Sequence, residues 1–515
     1  MALLRSAVTV GGYTLLSRVL GFVRDVLIAA YLGAGPLADA FFVAFKLPNF
    51  FRSLFAEGAF SAAFVPLFAR ILTKEGRAAA LAFAERALSA LLVAVLVFVI
   101  LAQIFMPQLM LGLAPGFVGD PTRFDLAVSF TRITFPYLLF ISLVSLLGGI
   151  LNGVGRFAAA AAAPVLLNLT LIVSLVGLAR FLPTPGHALA VGVSLSGIVQ
   201  FVWLVAACQR EGIALRLPTP RFTADVRRLL TLVLPAALGA GVVQVNLVVG
   251  VILASLLPPG AISYLFYADR LNQLPIGVVG VAVGTALLPL MSRQLGAGQN
   301  EEAAFSQNRA IELVMLLALP AAAALMTVPG ELIGGLFERG AFGPAATQQT
   351  AWALMAYAAG LPAYVLVKAL APGFYARQDT ATPVRIGVVC IATNIAIGVA
   401  LLHVLEHVGL ALATAVAAWL NAILMAATLF RRGHWRADQR LKDKAWRIAL
   451  STLIMVAALL AVARLGAGFF AAGGGVRIAA LVVLVSVGGG VYALAALALG
   501  AARIADLRRM ISRAP

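Results

Sequence analysis

Apolar residues in this chain come in continuous runs of about 20 or more, separated by short clusters of Pro, Gly and charge. A run of that length is what an α-helix needs to cross a hydrocarbon layer about 30 Å thick at a rise of about 1.5 Å per residue. Lipid offers the backbone no hydrogen-bond partners, so the spanning element must satisfy itself as a helix or close into a barrel. A barrel strand alternates apolar and polar residues over about ten positions, and these runs do not alternate. Taking the breaks as boundaries predicts about fourteen helices, over 8–32, 37–70, 81–110, 124–152, 158–181, 188–209, 225–256, 261–293, 306–328, 346–373, 382–404, 408–430, 446–465 and 476–502. The fold class is therefore an all-α polytopic membrane protein. The first run is too long, and too interrupted by charge, for a cleavable signal, and it is expected to remain as the first span.

Composition agrees. Of 515 residues, 62% are hydrophobic and 11% charged, with a mean hydropathy of +1.02, whereas soluble domains are nearer a quarter charged. No stretch is long and polar enough for a separate soluble domain. The net charge of +18 changes the picture only through its distribution. With both termini placed in the cytoplasm, 26 of the 38 Lys and Arg fall on the cytoplasmic side, six on the opposite side and six within spans. That is the positive-inside pattern. It accounts for the charge without nucleic acid and leaves some attraction to anionic lipid. Cys208 and Cys390 form no disulfide framework, and four scattered histidines match no metal-ligand pattern. His403 and His407 stand four apart but flank a polar turn and read as loop residues. No metal and no cofactor is expected.

The two halves match at an offset near 224. FVAFKL at 42–47 lies over FYADRL at 266–271, and VPLFAR at 65–70 over LPLMSR at 288–293. Pro136 corresponds to Pro362, and APV at 163–165 to TPV at 382–384. Six helices repeat with sidedness restored, because six is even. Two pseudo-symmetric six-helix lobes are expected, at 1–221 and 222–432, with a helix pair and cytoplasmic tail at 433–515. Duplicated lobes with a site between them are a common transporter plan.

The stretch SRVLGFVRD at 17–25 puts Arg18, Arg24 and Asp25 inside the first span. Lys46 and Arg52 follow in the second span and Arg270 in the eighth, interleaved with Asp39, Glu57 and Asp269. Each Arg at a helix centre costs about 2.5–3.5 kcal/mol on insertion scales and normally faces a partner or a wet cavity. Local ion pairs absorb part of the set: Arg18 and Asp25 share a helix face, as do Asp39 and Lys46, and Asp39 and Glu57. Five cations against four anions still leave a positive excess. Arg18 and Arg24 point about 120° apart on a straight helix, so a shared target requires a bend, for which Gly21 is placed; Pro48 is similarly placed between Lys46 and Arg52. Arginine's planar fork donates two parallel hydrogen bonds and suits a desolvated phosphate. The sharp reading is an anion site; the bland one is structural ion pairing.

SRVLGFVRD at 17–25, GPLADAFFVAFKLPNFFRSLFAEGAFSAAFVPLFA at 35–69, YADRLNQLPIGVVGVAVGTALLPLMS at 267–292, LFERGAF at 336–342 and FYARQDTATPV at 374–384 resemble the bacterial lipid II flippase family (MurJ, or MviN) along essentially the whole chain. That family lies in the multidrug/oligosaccharidyl-lipid/polysaccharide exporter superfamily. The resemblance implies fourteen helices in two lobes plus a C-terminal pair that borders a groove for a prenyl tail. It implies a multi-pass protein of the bacterial cytoplasmic (inner) membrane. The implied substrate is undecaprenyl diphosphate carrying the peptidoglycan disaccharide-pentapeptide, turned from inner to outer leaflet by alternating access. The family's cavity arginines fall on Arg18, Arg24, Arg52 and Arg270. Asp25, Asp39, Lys46, Asn49, Glu57 and Asp269 are the polar positions expected to support the cavity. In some members a sodium ion sits between the seventh and eleventh helices, held partly by a carboxylate of the seventh. LPAALGAGVVQVNL at 234–247 has no carboxylate here, and Asp379 remains in the eleventh. The coupling ion, or coupling to membrane potential, stays open.

Other classes fit less well. A multidrug exporter of the same fold moves cationic drugs and needs unpaired carboxylates where arginine dominates here. A flippase for another lipid-linked polysaccharide differs only in substrate. An intramembrane transferase needs an acidic metal-binding cluster or a nucleophile–base pair, and neither is legible. A membrane scaffold gives no reason to bury five cations.

Overall fold

The computed structural model describes residues 2–52, 60–219 and 223–502. Helix is present at each of the fourteen positions predicted from the apolar runs, and no strand occurs among the described residues. Ten helical segments there are long and apolar enough to cross a membrane. The chain forms two compact units, 1–263 and 264–515.

In the first unit α1 (Ala2–Leu32) is followed by α2 (Pro36–Phe51), α3 (Ser61–Glu75), α4 (Arg77–Ile104), α5 (Met106–Leu113), α6 (Pro121–Thr134), α7 (Tyr137–Gly153), α8 (Ala158–Leu178), α9 (Pro185–Arg210) and α10 (Ala224–Ser255). α1 packs on α8, α8 and α7 on α9, and α2 on α6. The predicted span 37–70 contains α2 and α3, with residues 53–59 outside the described set. The predicted span 81–110 is α4 plus the start of α5, which begins next to Pro107.

α11 (Ala261–Gly296) leads from the first unit into the second. There follow α12 (Asn300–Thr327), α13 (Pro329–Phe337), α14 (Pro344–Leu370), α15 (Pro372–Tyr375), α16 (Ala381–Leu401), α17 (Glu406–Arg431), α18 (Gln439–Leu465), α19 (Ala467–Ala471) and α20 (Gly474–Ala498). α14 packs against α12 and α17, and α18 against α12 and α20. α13 was not predicted from the apolar pattern: nine residues are too few to register as a span.

The C-terminal helices are fastened to α12. Met455 and Leu459 of α18 and Leu481 and Leu484 of α20 form a buried cluster with Val328. α20 comes so close that a Cβ on Gly488 would stand 2.6 Å from Leu459 Cδ2. Near the start of α18, the buried Glu312 carboxylate of α12 accepts from Arg309 and Lys444 and lies 3.3 Å from Arg440 Nε.

Proline explains several interhelical bonds. A helical proline has no N–H for the carbonyl four residues back, and a buried carbonyl seeks another donor. Pro48 frees the carbonyl of Ala44, which accepts from the Thr134 hydroxyl at 3.2 Å. Pro136 frees that of Arg132, which accepts from Gln103 Nε2 at 2.7 Å. Pro320 frees that of Leu316, which accepts from the Tyr492 hydroxyl at 2.6 Å. Each of these freed carbonyls thereby ties two helices together.

Candidate functional site

Arg24 sits on the buried face of α1. Its Nε and Nη2 donate to Asp25 Oδ1 at 3.0 and 2.7 Å, and its Nη1 donates to Asn168 Oδ1 of α8 at 2.8 Å. Asn168 Nδ2 returns a bond to the Ser17 carbonyl at 2.9 Å. Arg24 is 6% exposed and Asp25 2%. The Phe45 ring lies 5.8 Å from the guanidinium carbon. The knot thus pairs a buried charge with an opposite one and satisfies an amide that would otherwise be stranded between two helices.

Gly21, placed by the sequence where a bend would converge two arginines, lies within the unbroken α1, and its open side faces Asn168 Nδ2, 3.5 Å from where a Cβ would stand. Arg18 and Arg24 accordingly occupy different environments. Arg18 is exposed, and its side chain has no polar partner among the described residues.

Asp39 is fully buried and does a different job from Asp25. Its Oδ2 accepts from Gly260 N at 2.7 Å and Arg123 Nη2 at 3.0 Å; its Oδ1 accepts from Ser263 N at 2.9 Å and Ser263 Oγ at 2.6 Å. The first turn of any helix leaves backbone N–H groups without partners and carries partial positive charge. Asp39, from α2, supplies the cap for the first turn of α11. Asp120 caps α6 by accepting from Arg123 N at 3.2 Å, which sets Arg123 at the start of that helix. Arg123 stacks 4.2 Å over Phe117 and reaches the Leu257 carbonyl at 3.4 Å. Gly116 completes the clasp on residues 255–263: its N–H donates to Ser255 Oγ at 3.2 Å, and a Cβ there would lie 2.1 Å from the Ser255 carbonyl oxygen.

Farther along α2, Lys46 is exposed and Arg52 half-buried. Arg52 Nε donates to Asn49 Oδ1 at 3.1 Å, and Asn49 Nδ2 donates to the Phe45 carbonyl at 2.7 Å. Glu57 lies outside the described residues. In the second unit Arg270 stacks 4.7 Å over Phe266, and Asp269 accepts from Gln273, one turn on. Asp379 is committed to Arg432 at 2.6 Å and to the Thr382 amide at 2.9 Å. Its carboxyl is held below the usual carboxylate range, first by the Thr382 hydroxyl and amide and then by Arg432. No group of three or more His, Cys, Asp or Glu arranged to hold a metal occurs among the described residues.

Of the predicted residues, the structure joins Arg24 to Asp25 and Arg52 to Asn49, and sends Asp39 to the α11 cap. Sequence reasoning missed Asn168, Arg123 and Ser263. Asn168 had a signal, as a polar residue within PVLLNL; Arg123 is one of the six basic residues counted on the side opposite the cytoplasm, where only its charge was weighed.

The sequence profile described as lipid II flippase MurJ matches residues 28–485. A probable lipid II flippase MurJ of Rhizobium tropici is 42% identical over 519 residues, covering 100% of this chain and 97% of the relative. The lipid II flippase MurJ of Burkholderia cenocepacia is 38% identical over 444 residues, covering 84% and 85%. Among solved structures, a lipid II flippase MurJ in an inward closed conformation superposes with a TM-score of 0.79 at 26% identity, over 95% of this chain and 98% of that one. An inward-facing multidrug transporter of the MATE family and MOP superfamily gives 0.67 at 16% identity, over 81% and 94%, a likeness of fold. With a helix at every predicted span and a profile match over most of its length, the chain belongs to the lipid II flippase MurJ family.

Proposed function

We propose that the protein is a lipid II flippase, carrying the undecaprenyl-diphosphate-linked peptidoglycan precursor from the inner to the outer leaflet of the bacterial cytoplasmic membrane by alternating access. The family membership carries this reading, and the intramembrane cations give it chemistry. Arg18, Arg24, Arg52 and Arg270 are the residues proposed to receive the diphosphate. Lys46 and Asn49 lie six and three positions before Arg52, and Asp25, Glu57 and Asp269 keep the cationic set from repelling itself apart. A diphosphate offers several acceptor oxygens, and guanidinium groups match them with paired, charge-assisted bonds.

Arg24 enters this scheme already engaged. Three of its nitrogens donate to Asp25 and Asn168, so binding substrate through them means exchanging partners. That exchange couples arrival of the diphosphate to loosening of α1 from α8. The Asp39 clasp, by contrast, holds a helix start, and its proposed part is conformational. Both termini are proposed to be cytoplasmic, from the distribution of Lys and Arg. The cycle makes and breaks no covalent bond and uses no cofactor. Charges that move across the field feel about 2.3 kcal/mol per elementary charge per 100 mV, so membrane potential is a proposed source of drive. The test is appearance of lipid II on the outer leaflet of cells depleted of their own flippase and supplied with this protein. Restored outer-leaflet lipid II and growth are expected; a well-expressed protein that restores neither overturns the reading.

A further inference from the structure

The second unit contains a cavity of about 370 Å³ between α11, α14, α16 and α17, remote in sequence from the arginines above. It lies toward the helix ends that carry Arg377, Arg385 and Arg432. Its polar lining is Lys368, Tyr375 and Asn421, and its apolar walls include Leu288, Val367 and Met425. Lys368 is in the last turn of α14; its side chain is exposed, passes the flat face of Gly280 (3.6 Å from a Cβ built there), and has no polar partner among the described residues. Asn421 Oδ1 is buried and has no hydrogen-bond partner among the described residues. Among the described residues no carboxylate lines the cavity. There Lys368 and Asn421 line the same space among long apolar helices, an ammonium without a counter-ion and an acceptor without a donor among the described residues. The complement to that pair is a ligand with an anion at one end and a hydroxyl at the other.

We propose that this cavity binds the headgroup of an anionic phospholipid, with its phosphate on the Lys368 ammonium and a glycerol hydroxyl donating to Asn421 Oδ1. Phosphatidylglycerol has both features. The apolar walls suit the adjoining acyl-glycerol portion and would be wasted on a hydrated inorganic ion. On the orientation proposed above, the cavity lies at the level of the inner-leaflet headgroups. The inference does not depend on the transport reading, because binding is measured without flipping.

The purified full-length protein in detergent is titrated separately with dioleoylphosphatidylglycerol, dioleoylphosphatidic acid, dioleoylphosphatidylethanolamine and soluble glycerol 3-phosphate. Retained lipid is counted by native mass spectrometry and binding is followed by thermal shift. Phosphatidylglycerol is expected to bind and protect more strongly than phosphatidylethanolamine. Lys368→Gln should weaken it by about tenfold or more, the size of one lost charge-assisted bond, whereas Lys368→Arg should stay within about threefold of the parent. Asn421→Leu should weaken phosphatidylglycerol, which carries the free glycerol hydroxyls, and leave phosphatidic acid unchanged. Glycerol 3-phosphate binding as well as the lipid, with the same Lys368 dependence, would support the phosphate site and move its source to solution. Equal binding of phosphatidylglycerol and phosphatidylethanolamine by the unaltered protein overturns the proposal, without need of any variant. So does phosphatidylglycerol affinity unchanged in a folded Lys368→Gln protein.

Discussion

Replacing Arg24 by lysine keeps the charge and removes the fork. In the native knot the guanidinium spans two acceptors: Asp25 takes two N–H donors and Asn168 takes one at 2.8 Å. A lysine ammonium is a single point, and the two acceptors lie on different sides of the guanidinium plane's edge. It will keep Asp25 and lose Asn168, leaving a buried amide oxygen unpaired. A hydrogen bond involving a charged group contributes about 1.5–3 kcal/mol, and a stranded buried acceptor costs about 1–3 kcal/mol. Arg24→Lys should therefore lower the stability of the substrate-free protein by about 2–3 kcal/mol. The assay is a thermal or chemical melt of purified protein in detergent with no lipid II present. Asn168→Ala closes the cycle: if the bond is the cause, the double variant should be about 1.5–3 kcal/mol less damaged than the sum of the singles. Additive losses would refute the reasoning, since the two residues would then be acting independently. An Arg24→Lys protein as stable as its parent would do the same. The result also bears on transport, because a complementation defect in Arg24→Lys reports on diphosphate binding only after the apo-state loss has been subtracted.

Asp39→Ala strands the 3% exposed Arg123 and two amides of the α11 start; a loss of about 3–5 kcal/mol is expected in the same melt, and a loss below 1 kcal/mol would argue against the clasp. Tyr492→Phe should cost about 1 kcal/mol by removing the donor to the Leu316 carbonyl, and adding Pro320→Ala, which returns a backbone N–H to that carbonyl, should recover most of it; no recovery would refute the account of the freed carbonyl. His434, in the loop before α18, is pushed below its ordinary 6.5, chiefly by burial and then by Arg377 and Arg432. Its unfolded form therefore binds protons more readily, so its neutral state favours the fold above pH 6.5, and that advantage is lost as pH falls below 6.5. The drop in melting temperature between pH 7.5 and 5.5 should shrink in His434→Gln; an unchanged drop contradicts the assignment.

The helices were legible because a lipid-spanning helix is written locally, as an unbroken apolar run. α13 was not, because nine residues bounded by Pro329 and Glu338 make no such run. The ion pairs were less legible: helical spacing put Asp25 on a face with Arg18, whereas the structure pairs it with its neighbour Arg24. Asn168 lies 144 positions from Arg24 and Arg123 lies 84 from Asp39; nothing in one-dimensional spacing reports such contacts. Asp39 illustrates the difference. On a helical wheel it shares a face with Lys46, yet its oxygens go to the amides of α11, because uncapped helix starts compete strongly for a carboxylate.

Asp39 and Ser263 are separated by 224 positions, the same spacing at which FVAFKL and FYADRL correspond. Under the repeat expected from the sequence they stand at equivalent positions, and they touch. Had both copies kept a carboxylate, two buried anions would face each other at hydrogen-bonding distance. Had both become serine, Arg123 would have lost its counter-ion. On that correspondence the contact disfavours identity at the two positions, because one side accepts and the other donates. An acid at 39 and a hydroxyl at 263 together satisfy Arg123 and the start of α11.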